Sequence, residues 1–252
     1  NDSITDGDKK ALTGFINTPN QRFTNGPKVK EFEKAWSEYV GCDFSVFVNS
    51  GASANYIMAS IMKEEKGVGE VIVSPLGWVS DVSPLVNLGF TPVFVDVSME
   101  NMSITLDNIK TAVTDKTVGV SLVHVLGFAA VTDEMKKFCD DNDLFFIEDC
   151  CEVSNFSFYF GHHITTIEGG MVCTNDERLY DYAKLFRSHG MTREASVQLQ
   201  EQYERSRPDL NPLFTFAVPG YNMRNQELNA VLGLEQLKRL NYNCDKRRDN
   251  FK

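Results

Sequence analysis

The sequence lacks several features that would narrow its role at once. No apolar run approaches the ~20 residues that a helix needs to cross a bilayer, so a membrane-spanning protein is not expected. Positive charge is in deficit, with 25 Lys and Arg against 35 Asp and Glu and a formal charge of −10. That balance argues against nucleic acid or an anionic membrane as the main partner. It leaves room for a phosphorylated ligand, because a helix N-terminus binds phosphate even in an acidic protein. The cysteines Cys42, Cys139, Cys150, Cys151, Cys173 and Cys244 show no metal-ligand spacing, and no metal site is expected. The adjacent Cys150 and Cys151 end an apolar run and read as small packing side chains rather than a disulfide, which fits a reducing cytoplasm. Asn1-Asp2-Ser3 carries neither a basic nor an apolar stretch, so no signal peptide is expected. Internal repeats and low-complexity tracts are missing as well, and no lysine occurs between Lys137 and Lys184.

What is present is an alternation of strand and helix patterns. The chain has 252 residues, 42% of them hydrophobic, enough for one large α/β domain and the start of another. Thr5 with Asp8 predicts a capping box and a short first helix. Pro27 opens a stronger helix carrying Val29, Phe32, Trp36 and Tyr39 at helical spacing. Segments 44–48, 71–73, 92–97, 118–125 and 144–149, rich in β-branched and aromatic residues, predict strands. Helices fit near 53–62 and at 79–88, 106–113 and 133–141, followed by two closer strands at 156–160 and 171–174. A helix is expected at 177–188, and residues 194–211, polar and without apolar periodicity, read as a loop. One long amphipathic helix is expected from Asn225, carrying Leu228, Val231, Leu232, Leu237 and Leu240. The alternation predicts a parallel sheet with helices on both faces. The charged run at Lys246, Arg247 and Arg248 suggests that the sequence stops inside an element.

Four places could carry chemistry. Ser50-Gly51-Ala52-Ser53-Ala54-Asn55 joins a strand to a helix, and small residues there let backbone N–H groups approach a phosphate; a plain turn is the alternative. Asp149 ends an apolar strand at the edge where parallel sheets bind ligands, and it also suits a helix cap or a surface acid. Trp78, just past a strand, fits either a stacking platform at that edge or the core. His162 and His163 follow Phe156-Ser157-Phe158-Tyr159-Phe160-Gly161, and an imidazole, with a reference pKa of about 6.5, moves protons near neutrality. His124 and His189 read as structural or substrate-lining.

These motifs, taken in order, resemble the DegT/StrS-type sugar-nucleotide aminotransferases. There a serine precedes the Schiff-base lysine by five positions, and a turn ending Glu/Asp-Gly-Gly follows. Here Ser157 and Glu168-Gly169-Gly170 hold those places, and His162 stands where the lysine belongs. Gly220-Tyr221-Asn222-Met223-Arg224 matches the family's Gly-Tyr-Asn-x-Arg, and the likeness runs from Arg22-Phe23-Thr24-Asn25-Gly26-Pro27 to the final helix. A histidine cannot form the Schiff base, and in this superfamily the exchange marks the sugar 3-dehydratases, which hold pyridoxamine phosphate non-covalently. The resemblance implies the large domain of a fold-type-I pyridoxal-phosphate enzyme: three layers, αβα, around a mostly parallel central sheet. It implies a cofactor-binding domain over 1–222, and over 223–252 a helix leading into a truncated C-terminal domain. Gly51, Ala52, Trp78, Asp149, Glu152, Ser157 and Asn222 would bind pyridoxal or pyridoxamine phosphate, and His162 and Asp149 would be catalytic. The expected activity is 3-dehydration of a nucleotide-linked 4-keto-6-deoxyhexose. Glutamate would be the amino donor, and Asn222 would reach the neighbouring subunit's cofactor in a homodimer. A nucleotide-sugar aminotransferase and a catalytically silent sugar-nucleotide-binding homologue are the alternatives. Two departures from the family stand out: the interval from Asp149 to Ser157 is short, and the small domain is missing.

Overall fold

The computed structural model describes residues 3–149 and 155–251. The chain divides into two compact units, Ala54–Phe156 and a second built from Asn1–Ser53 with Ser157–Lys252.

The unit Ala54–Phe156 is an α/β layer structure on a parallel sheet. Its strands β2 (Glu70–Val73), β3 (Thr91–Phe94), β4 (Thr117–Val123) and β5 (Phe145–Asp149) lie in the order β3-β2-β4-β5. A further strand, β6 (Asn155–Ser157), adds one parallel pair, Asp149 with Asn155. The apolar runs Val71–Ile72–Val73 and Val120–Ser121–Leu122 are buried throughout, as expected of strands covered on both faces. One face packs Ile72, Val120 and Leu122 against Ile109 of α5 (Leu106–Ala112) and Met135 and Cys139 of α6 (Asp133–Asp141). The other face receives α3 (Gly51–Lys66), whose Met62 lies over Gly119; a Cβ there would come within 2.5 Å of its sulfur. This unit also carries α4 (Val79–Leu88).

The other unit pairs β1 (Phe44–Val48) antiparallel with β7 (Gly170–Thr174). Its core is aromatic: Phe32 meets the Phe47 ring edge-on at 5.0 Å, and Trp36 meets Phe158 at 4.8 Å. Around it stand α1 (Asp6–Ile16), α2 (Pro27–Val40), α7 (Glu177–Arg187) and α9 (Glu227–Leu237). Gly233 admits α9 against α2, since a Cβ there would lie 2.6 Å from the Phe32 ring. Glu227 turns its buried carboxylate onto the start of α2 and accepts the backbone N–H groups of Gly26, Lys28 and Val29 at 2.8–3.0 Å. The predicted capping box is formed, with Thr5 and Asp8 each accepting the other's backbone N–H.

Three expectations from the sequence are corrected. Residues 194–211 are not all loop, because α8 (Val197–Ser206) starts at Ser196, whose hydroxyl accepts the Leu199 N–H. The long helix from Asn225 is two helices, α9 and α10 (Leu240–Phe251), parted by a turn at Lys238 and Arg239. That break directs the Arg239 guanidinium at the fully buried Asp8 carboxylate, 2.7 Å away, which Gln236 also reaches. The strand expected over 156–160 ends at Ser157, because Phe158 leaves the ladder to bond Gly169 and Thr166 across the following turn.

Candidate functional site

In the unit Ala54–Phe156 the chemistry gathers at the C-terminal edge of the parallel sheet. Asp149 closes β5 there. Its Oδ2 accepts a 2.6 Å hydrogen bond from the Asn55 amide, which also donates to Asp81 Oδ1 at 3.1 Å and to the Ser80 carbonyl at 3.2 Å. Asp81 sits in the first turn of α4, and its Oδ2 accepts the Trp78 N–H at 2.7 Å. The two carboxyl groups share a hydrogen bond, and burial, with Asp149 adding to it, pushes Asp81 up to about 8. A carboxyl of that kind is neutral at pH 7.

The neighbouring Glu148 has a different environment. It is 3.6 Å from the His124 ring and 3.4 Å from the Lys136 ammonium. Burial pushes its carboxyl up, but contact with His124 and the Lys136 charge outweigh burial and hold it below the usual carboxylate range. The His124 ring thus faces Glu148, and its Nδ1 accepts the Ala130 N–H at 3.2 Å. The Trp78 side chain is 76% exposed, which rules out the core alternative and leaves a flat ring facing outward beside the acid pair.

In the other unit the Ser50–Ser53 turn opens α3. Ser50 Oγ accepts the Ser53 N–H at 3.1 Å, and the Ser53 hydroxyl donates to Asn49 at 2.6 Å. Ser157 packs on this turn: a Cβ added to Gly51 would lie 2.7 Å from its Cβ and 3.1 Å from its hydroxyl. Gly51, Ala52 and Ser157 are therefore brought together, with the first-turn N–H groups of α3 beside a hydroxyl, a donor set that suits a phosphate. A Cβ added to Gly170 would likewise meet the Ser50 carbonyl oxygen, and Asn225 fastens the same corner by donating to Val48 and Glu168. The Gly-Tyr-Asn-x-Arg stretch joins it, since Arg224 bridges to Val48 and Asn49 donates to the Met223 carbonyl. Asn222 itself is exposed, and its side chain accepts from Arg224 Nε at 3.1 Å.

His162 and His163 are half-buried and line a cleft of about 250 Å³ with Arg239, Asn243, Lys246 and Arg247. The His162 ring meets Tyr159 edge-on at 6.0 Å, and the Arg247 guanidinium donates to its carbonyl at 3.0 Å. The imidazole pair therefore borders an open, basic cleft rather than packed interior. Glu152 and the Cys150-Cys151 pair lie outside the described residues.

Asn55 and Asp81 were given no role by sequence reasoning. Two signals pointed to them. Asn55 is polar within the apolar stripe of Ala54, Ile57, Met58 and Ile61, and Asp81 follows the edge tryptophan at capping distance.

Among the described residues no helix is long and apolar enough to cross a membrane. The profile of the DegT/DnrJ/EryC1/StrS aminotransferase family matches residues 4–252. A GDP-4-keto-6-deoxy-D-mannose 3-dehydratase of Yersinia pseudotuberculosis is 36% identical over 250 residues, spanning 90% of this chain and 63% of that protein. Among solved structures, a histidine-to-asparagine mutant of GDP-4-keto-6-deoxymannose-3-dehydratase with bound GDP-perosamine superposes with a TM-score of 0.86 at 30% identity. That likeness spans 98% of this chain and 69% of the mutant. The same enzyme with a trapped PLP-glutamate geminal diamine gives a TM-score of 0.82, also at 30% identity, over 94% and 66% of the two chains. The chain thus spans about two thirds of the length of these relatives.

Proposed function

The chain belongs to the DegT/DnrJ/EryC1/StrS aminotransferase family, and we propose that it is a pyridoxamine-phosphate-dependent 3-dehydratase acting on a nucleotide-linked 4-keto-6-deoxyhexose. The observation that carries this reading is His162 at the place of the family's lysine, in a stretch from 138 to 183 that contains no lysine. Two relatives whose names specify 3-dehydration of a GDP-linked ketosugar support it. The enzyme works in the cytoplasm as a homodimer, with glutamate as amino donor, the partner to which the PLP-glutamate complex of the relative points.

When bound, pyridoxamine phosphate supplies an amine for the sugar's keto group and a protonated ring that accepts electrons. The chain's own residues do the rest. Gly51, Ala52 and Ser157 hold the phosphate at the start of α3, and Asn222 reaches the corresponding group of the neighbouring subunit. Trp78 offers its face to the ring. Asp149, at the sheet edge, stabilises the protonated ring nitrogen. His162 accepts a proton at an imidazole nitrogen and returns it to the departing 3-hydroxyl. General acid–base help of this kind contributes roughly 10²–10⁴-fold in rate.

The test is absorbance of the purified protein with cofactor before and after borohydride, together with hydroxyl loss from a GDP-linked ketosugar. The dehydratase reading expects a bound but non-reducible spectrum. A reducible covalent adduct in the wild type would support an aminotransferase using another lysine, and absence of binding a silent homologue. His162→Lys should lose dehydration and gain a reducible Schiff base; retained dehydration in that variant refutes the role of His162.

A further inference from the structure

We propose that Asp81 is a positioning residue for Asp149: its carboxyl keeps a proton, donates it to the Asp149 carboxylate, and so leaves the pair with one negative charge aimed at the sheet edge. The geometry leaves few alternatives. Asp81 is held on one oxygen by the Trp78 N–H at 2.7 Å and on the other by the Asn55 amide at 3.1 Å. The same amide holds Asp149 at 2.6 Å, so one buried nitrogen bridges both acids. Between them is a cavity of about 10 Å³ bordered by Asn55, Asp81, Leu85, Ser121, Ile147 and Asp149. That space admits about one water. Among the described residues no lysine, arginine or histidine borders the cavity, and Glu148 on the same strand is engaged with His124 and Lys136. Two carboxylates in hydrogen-bond contact cannot both stay ionised in such a place, and they share one proton. Asn55 makes its shorter bond to Asp149, 2.6 against 3.1 Å, which leaves the proton on Asp81, whose carboxyl burial raises from the ordinary 3.8 to about 8.

The proposal rests on the reading of Asp149 as partner of the cofactor's ring nitrogen. A pair with charge −1 matches one protonated nitrogen, and the Asp81 O–H fixes the direction of the Asp149 oxygens. Asp81→Asn is then a near-replica, since its amide donates to Asp149 as the protonated acid does. The Asn55 amide has three acceptors for two hydrogens, so it tolerates losing one.

The experiment has two readouts. The first is thermal melting of the cofactor-free protein from pH 4 to 9. Between 3.8 and about 8 the folded chain holds a proton on Asp81 that the unfolded chain has released. Stability from this group is complete below that window and lost as pH rises through it. The wild type should melt progressively lower from pH 5 to 8, and Asp81→Asn should lack that component, so that the variant gains on the wild type with each step in pH. Equal pH slopes for the two proteins overturn the proposal. The second readout is pyridoxamine phosphate affinity by absorbance. We expect Asp81→Asn to stay within about twofold of wild type and Asp81→Ala to fall about tenfold. An Asp81→Asn loss as large as that of alanine would mean that the charged form is the working one, and would also overturn it. If the wild type binds no cofactor, the cofactor reading fails, while the melting comparison still decides where the proton resides.

Discussion

Glu227 shows how much one side chain can organise. Its two oxygens accept three backbone N–H groups at the start of α2, where helix geometry leaves donors without partners and the dipole favours an anion. Glu227→Gln turns one acceptor into a donor facing a donor. Stranding a buried N–H costs about 1–3 kcal/mol, and the denaturant midpoint should fall accordingly with an unchanged m-value. Gly51 differs, because its cost is steric and local. Gly51→Ala pushes a Cβ to 2.7 Å from that of Ser157, so the phosphate turn must shift. Cofactor affinity should drop about tenfold while the protein remains folded. Gly14→Ala is the control: it lies inside α1 with nothing within 4 Å of the new Cβ, and should stabilise by roughly 0.5–1 kcal/mol. Equal loss of affinity in the two glycine variants would remove the turn from the site. Of these residues only Gly51 and Ser157 were legible in the sequence, because their meaning lies in a local motif. Glu227 caps a helix about 200 positions earlier in the chain, and no local pattern reports such a partner.

At the scale of elements, periodicity reports which face is buried, not whether a helix forms. The strands β2, β4 and β5 and the helices α2, α3 and α6 were legible because each buries a continuous run or a stripe. Helix α8 buries none of its residues, so its sequence carries no stripe to detect. It is set by its cap. Ser196 accepts the Leu199 N–H, while its own N–H and hydroxyl donate to Asp181 at 2.7 and 2.5 Å. Ser196→Ala should therefore cost about 1 kcal/mol, concentrated in one element. Amide exchange in α8 should accelerate several-fold more than in α7 or α9, measured by mass spectrometry on the intact protein. Uniform acceleration across the chain would show instead that Ser196 supports the whole unit. The turn between α9 and α10 was missed for a related reason: the apolar pattern runs on through Leu240, and the break is made by polar attraction of Arg239 and Gln236 to buried Asp8.

For the whole molecule, the α/β class and the parallel order followed from alternation alone, since each strand-helix step leaves an apolar face that must be covered. The candidate site was legible as residue types but not as an arrangement. Trp78 and Asp149 belong to the unit Ala54–Phe156, and Gly51, Ala52, Ser157, His162 and Asn222 to the other. A ligand that binds only the folded chain adds to its stability by mass action. At a concentration of about 100 Kd it adds about 2.7 kcal/mol. In a chain of this length each kcal/mol moves the midpoint by roughly 2–4 °C, so pyridoxamine phosphate should raise Tm by about 5–11 °C. The rise should shrink in Gly51→Ala at the same ligand concentration, because that turn holds the phosphate. It should persist in His162→Asn, because the imidazole moves a proton and is not needed to hold the group. A wild-type Tm unmoved at millimolar cofactor would sink the cofactor reading. A shift lost in His162→Asn but kept in Gly51→Ala would exchange the roles of the two, making the histidine a binding residue and the turn an ordinary one.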